Sequence, residues 1–255
     1  MENLPARTGW LWVKQGFDLF RKQPGGLSTL FLGYMFFMLA VSILPLLGQL
    51  LPVILVPVFS MAFMRACLYI EQKKRVLPTL LLTGFRKPAF FSLLTLGLLY
   101  LAVALLALGA SALVDDGVFW QTVTGQIDAK SLTRESNTGG AILLAIAVYI
   151  PAAMAFCFAA PLIYWQKMGL GKAIFFSFFS VLRSRKAFVV FALVWFGISV
   201  IGSQIVVRIF GRSEMAMMVM LPLSVILTVV MHCSFYASYR QLFGTPTEAA
   251  PTALA

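Results

Sequence analysis

Charged residues punctuate this chain, and long bare stretches lie between them. No Lys, Arg, Asp, Glu or His occurs from Gln23 to Met64, a run of 42 residues. One helix crosses a bilayer core in about 20 residues. The run therefore predicts two crossings, with a tight turn near Gly48-Gln49-Leu50-Leu51-Pro52. Uncharged gaps follow at Pro88–Val114, Ser136–Gln166 and Ala187–Val207, and Met215–Tyr239 carries only His232. These give six expected spans, roughly 27–47, 51–70, 90–113, 141–164, 187–208 and 216–238. Helices are the expected form, because lipid cannot satisfy open backbone amides, and the apolar runs lack the alternation of barrel strands.

Composition agrees with a lipid solvent. The chain is 60% hydrophobic and 11% charged, whereas soluble domains hold about 45–50% apolar and about 25% charged residues. Too few polar groups remain to cover a water-facing surface. The net charge of +11 sits beside the apolar runs, which points to an anionic membrane surface and away from nucleic acid.

Lys and Arg placement sets the expected orientation. With the N-terminus inside, cytoplasmic segments hold 16 of the 20 basic residues, from Arg7, Lys14, Arg21 and Lys22 through Arg65, Lys73, Lys74 and Arg75 to Arg240. The outer loops hold only Lys130, Arg134, Arg208 and Arg212, and Asp115, Asp116, Asp128 and Glu135 make the longest one acidic. Both termini are expected in the cytoplasm. The first apolar run is too long for a signal-peptide core, and no lipidation motif is visible. The expected organisation is an interfacial amphipathic helix at 1–26, a six-helix domain at 27–240 with an acidic outer loop at about 114–140, and a disordered cytoplasmic tail at 241–255.

Three cytoplasmic segments resemble one another: Gly16-Phe17-Asp18-Leu19-Phe20-Arg21-Lys22-Gln23-Pro24, Gly84-Phe85-Arg86-Lys87-Pro88, and Phe178-Phe179-Ser180-Val181-Leu182-Arg183-Ser184-Arg185-Lys186. Each places aromatics before a basic cluster, and two spans follow each. The expected fold class is thus an all-α membrane protein with three repeats of an interfacial helix plus a transmembrane hairpin. On a helical wheel, Trp10, Trp12, Val13, Phe17, Leu19 and Phe20 share one half, opposed by Lys14, Gln15, Asp18, Arg21 and Lys22. In the third segment Leu170, Ile174, Phe175, Phe178, Phe179, Val181 and Leu182 share an arc. Such helices are expected to lie in the bilayer interface, with aromatics at headgroup depth and cations on anionic lipid. The interface residues expected are Trp10, Trp12, Lys14, Phe17, Arg21, Lys22, Arg86, Lys87, Arg183, Arg185 and Lys186.

Little else suggests chemistry. His232 is the one histidine, a polar candidate inside the last span. Intramembrane ionisable groups are often functional, but no span core offers a carboxylate partner, so packing is the expected role. Arg65 and Glu71 are expected to pair with each other or with headgroups. Cys67, Cys157 and Cys233 have no CxxC spacing and read as small buried apolar residues. Nucleotide-loop, nucleophile-elbow, zinc-protease and dinucleotide motifs are absent. No catalytic residue, metal site or cofactor is expected, and no enzymatic activity.

The stretches Pro5-Ala6-Arg7-Thr8-Gly9-Trp10 through Pro24, Phe63-Met64-Arg65-Ala66-Cys67, Gly84-Phe85-Arg86-Lys87-Pro88 and Leu113-Val114-Asp115-Asp116-Gly117 resemble a family of uncharacterised six-helix inner-membrane proteins of proteobacteria, chiefly β-proteobacteria. The resemblance implies location and topology and transfers no activity. The expectation is therefore a non-enzymatic protein that organises the bilayer or scaffolds other membrane proteins, with anionic lipids, further copies of itself or other membrane proteins as partners. A small transporter or channel is the alternative, which would require a polar cavity near His232, Gln204 or Arg65.

Overall fold

The structure, a computed structural model, describes residues 4–44, 47–115, 138–211 and 213–246. Nine α-helices occur among them. α1 (Arg7–Lys22) leads into α2 (Pro24–Ser42) and α3 (Leu47–Glu71). A 3₁₀ segment, Pro78–Phe85, precedes α4 (Ala89–Asp115), α5 (Thr138–Phe156) and α6 (Ala159–Gln166). α7 (Leu170–Arg183) precedes α8 (Arg185–Phe210) and α9 (Glu214–Phe243). No strand occurs among the described residues. Six helical stretches are long and apolar enough to cross a membrane: Pro24–Ser42, Leu50–Glu71, Ala89–Val114, Gly139–Gln166, Arg185–Phe210 and Glu214–Phe243. The protein is an all-α membrane protein.

Two boundaries differ from the expected ones. The first turn falls at Ile43–Leu44, earlier than Gly48–Pro52, and α3 runs through both Pro52 and Pro57. Proline removes one amide and crowds the carbonyl a turn earlier, but neighbouring groups in a membrane bundle can satisfy what it frees. The fourth span is broken between α5 and α6. The Pro161 ring sits where the Cys157 carbonyl would otherwise accept a helical bond. Ser177 of α7 fills the gap: its Oγ donates to the Met154 carbonyl at 2.9 Å and accepts from the Phe158 amide at 2.9 Å. At the far end of the chain, α9 continues to Phe243, so residues 241–243 are helical rather than tail. Most of the expected acidic loop at 114–140, and the tail from residue 247, lie outside the described residues.

The element order repeats three times as a short segment followed by two long helices. Each short segment packs chiefly on two helices of the preceding unit, which for α7 are the two halves of the broken fourth span. The 3₁₀ segment lies on α3 and α2, α7 lies on α5 and α6, and α1 closes the circle by lying on α9 and α8. A small residue mediates each contact. A Cβ on Gly84 would overlap the Val58 carbonyl of α3. Ser177 meets Met154 and Phe158 as above. A Cβ on Gly16 would overlap Ser234 of α9, whose amide nitrogen lies 2.7 Å from that position. Lipid tails are as apolar as leucine, so helices in a bilayer associate through close van der Waals packing and hydrogen bonds, which small residues permit. The three short segments act as straps around one end of the bundle.

Candidate functional site: the strapped, basic end of the bundle

α1 forms because Arg7–Lys22 is free of proline, and the proline at position 24 starts the next helix. Its buried stripe is Thr8, Gly9, Trp12, Val13, Gly16 and Leu19. These are spaced by three and four residues, as one helix face requires. Gly9 meets the Ala187 carbonyl of α8, and Gly16 meets Ser234 of α9. Trp12 is wholly buried, so the expectation that it anchors at headgroup depth is corrected. Its indole Nε1 donates to Gln241 Oε1 at 2.6 Å, and its ring lies 5.1 Å from that of Phe188. Phe17 is half-buried and stacked on Trp195 at 6.2 Å. Trp10 does face outward, at 51% exposure, as do Lys14, Arg21 and Lys22.

Beside this strap lies a polar network joining α1, α3 and α9. Glu71 Oε2 accepts from the Tyr236 hydroxyl at 2.8 Å, and Oε1 pairs with Arg240 Nη1. The second Arg240 nitrogen donates to Gln15 Oε1 at 3.2 Å. The two acceptor oxygens of the carboxylate are thus taken by α9, and the spare guanidinium donor reaches back to α1. A turn deeper in the bundle, Cys67 and Cys233 bring their Sγ atoms to 3.6 Å. Glu71 therefore pairs with Arg240 and Tyr236. Arg65 lies with its guanidinium carbon 5.3 Å from the Tyr69 ring. Gln23 holds the corner between α1 and α2 to the following loop: its Nε2 donates to the Lys74 carbonyl at 2.8 Å, and its Oε1 accepts from the Val76 amide at 3.0 Å.

The expected basic clusters all sit where a strap hands over to the next long helix. Arg21 and Lys22 end α1, Arg86 and Lys87 follow the 3₁₀ segment, and Arg183, Arg185 and Lys186 straddle the α7–α8 junction. All seven are exposed, and Lys87 lies 6.0 Å from the Phe91 ring centre. Sequence reasoning missed Gln15, Gln241 and Arg240 as bonding partners, and Gly16, Gly84 and Ser177 as contact points. A signal for the last three was present, since each is followed by Phe: Phe17, Phe85 and Phe178.

His232 is half-buried, donates through Nδ1–H to the Thr228 carbonyl of its own helix at 2.8 Å, and rests on the Phe63 ring at 4.6 Å. Gln204 is exposed on the flank of α8. Neither lines any of three surface cavities, which lie between α2 and α3, between residues 4–5 and the α7–α8 junction, and along α7. Among the described residues no group of His, Cys, Asp and Glu is arranged to hold a metal ion.

No family model matches the chain, and no solved structure does. A protein of Burkholderia thailandensis named a probable inner membrane protein is 39% identical over 96% of this chain and 94% of its own length. Likeness of this extent covers all three units and both ends of the bundle, and the chain belongs to the same family as that inner-membrane protein.

Proposed function

We propose that the protein is a non-enzymatic organiser of the inner membrane: a rigid six-span body whose strapped end lies at the cytoplasmic face and gathers anionic lipid or other membrane proteins around its basic rim. The supporting observation is the position of charge. The cations at the three strap junctions are exposed, whereas the Glu71–Arg240 pair is spent on joining α3 to α9. The positive-inside tendency supports the orientation with both termini in the cytoplasm. A membrane-surface attraction of about 1 kcal/mol per cation supports lipid as the partner of the rim.

A strain lacking the protein tests this reading. The expected outcome is envelope stress and altered sensitivity to membrane-active agents, with solute uptake unchanged. Loss of uptake of one solute, restored by reintroducing the protein, would replace this reading with transport.

A further inference from the structure

The three strap junctions are alike in charge, but the third differs in shape. Residues Leu4 and Pro5 close over the α7–α8 junction and leave a cleft of about 410 Å³ lined by Leu182, Arg183, Arg185 and Lys186. Three cations line it, and among the described residues no carboxylate does. Beside this cleft runs a second hollow of about 150 Å³ along α7, lined by Phe175, Phe176 and Phe179, with Leu242 of α9. Arg183 borders both. A basic cleft that shares one lining arginine with an aromatic groove matches an amphiphile with an anionic head.

We propose that this junction is a binding site for one anionic phospholipid, its phosphate held among Arg183, Arg185 and Lys186 and an acyl chain laid against Phe175, Phe176 and Phe179. Arginine suits the role, because its planar fork binds two phosphate oxygens at once. The aromatic groove selects lipid over a free anion: inorganic phosphate would fill the cleft and leave the groove empty. The site gives a location to the lipid partnership proposed above and rests on the same membrane placement.

The test uses the full chain purified in detergent, with bound lipid counted by native mass spectrometry after equilibration with phosphatidylglycerol, with phosphatidylcholine, or with phosphatidylglycerol plus excess inorganic phosphate. One tightly held phosphatidylglycerol is expected, resistant to phosphate. The double variant R183Q/R185Q should bind it about 30-fold more weakly, at about five-fold per cation. The charge-matched variant R86Q/K87Q at the second junction should retain it, and both variants should elute like the parent on gel filtration. Equal retention of phosphatidylcholine, or displacement by inorganic phosphate, would overturn the proposal, as would equal losses in the two double variants. Such a result removes this site and leaves membrane organisation to stand or fall on the deletion strain.

Discussion

Both ends of the bundle carry large apolar side chains, yet one end buries them and the other leaves them exposed. At the strapped end, Val58, Met61, Leu68, Leu93, Leu96, Leu162, Val229 and Tyr236 are all wholly or almost wholly buried. At the other end, Phe36, Leu39, Leu106, Leu143, Ile209, Met217, Met218 and Leu221 are largely exposed. α4 and α9 contribute to both sets. α9, for example, exposes most of residues 215–221 and buries most of 229–239. Apolarity therefore does not decide where these helices close together. Lipid accepts a leucine as readily as a protein interior does, so closure requires something lipid cannot offer. At the strapped end that is close backbone approach at Gly9, Gly16 and Gly84, together with the hydrogen bonds of Trp12, Gln15, Glu71 and Ser177.

Substitutions placed in pairs, one member at a close contact and the other away from it, break this contrast. The largest effect is expected from Gly16→Leu, which drives a side chain into Ser234 and should cost about 3 kcal/mol, the upper part of the range for overpacking. Gly109→Leu on α4, where nothing lies within 4 Å, should cost almost nothing. Unfolding by denaturant in bicelles measures both. Equal costs would show that the straps do not hold the bundle.

Glu71→Gln leaves the Arg240 guanidinium without its counter-ion. Breaking buried pairs costs about 3–5 kcal/mol. Arg240 is 35% exposed, which brings the expected loss to about 2 kcal/mol. The exposed Glu214 at the start of α9 is its partner in the comparison, and Glu214→Gln should stay within about 0.5 kcal/mol. Smaller again is Trp12→Phe, which removes the bond to Gln241 but keeps most of the ring; interhelical hydrogen bonds in bilayers are worth about 0.6–1.7 kcal/mol. Thermal inactivation in detergent should separate it from Trp10→Phe, which loses no such bond. At the bottom of the scale, Leu221→Ala on the exposed face of α9 should fall within about 0.5 kcal/mol, against about 3 kcal/mol for Leu162→Ala in the core.

Spans were legible because their signal is length without charge, and Arg185–Phe210 and Ala89–Val114 fall within a few residues of the expected limits. What lay beside each span was not legible. All six spans have a mean hydropathy between 1.6 and 2.4, yet Leu50–Glu71 has 67% of its most apolar window buried in protein and the others between 11% and 22%. Hydropathy reports transfer out of water and is blind to the difference between lipid and protein. The same blindness hid what the apolar face of α1 touches. Its wheel weights Trp10 and Phe17 as strongly as Trp12, and counts Gly9 and Gly16 for little. The glycines mark the face that meets α8 and α9, because only there must two backbones come close. The break at Cys157–Phe158 was partly visible in Pro161, but its repair by Ser177 depends on a segment 19 residues away. The pairing of Glu71 with Arg240, 169 residues apart, had no local signature at all.

The central claim is that α1 is a strap bound to α8 and α9 rather than a helix resting on lipid. Trp10 and Trp12 test it most directly, because a lipid-resting α1 exposes both to the bilayer and a strap exposes one. Two single-tryptophan proteins, with the remaining tryptophans replaced by Phe, can be placed in vesicles containing brominated phospholipid. Strong quenching of Trp10 and near-complete protection of Trp12 is the predicted result. Equal quenching of the two would contradict it.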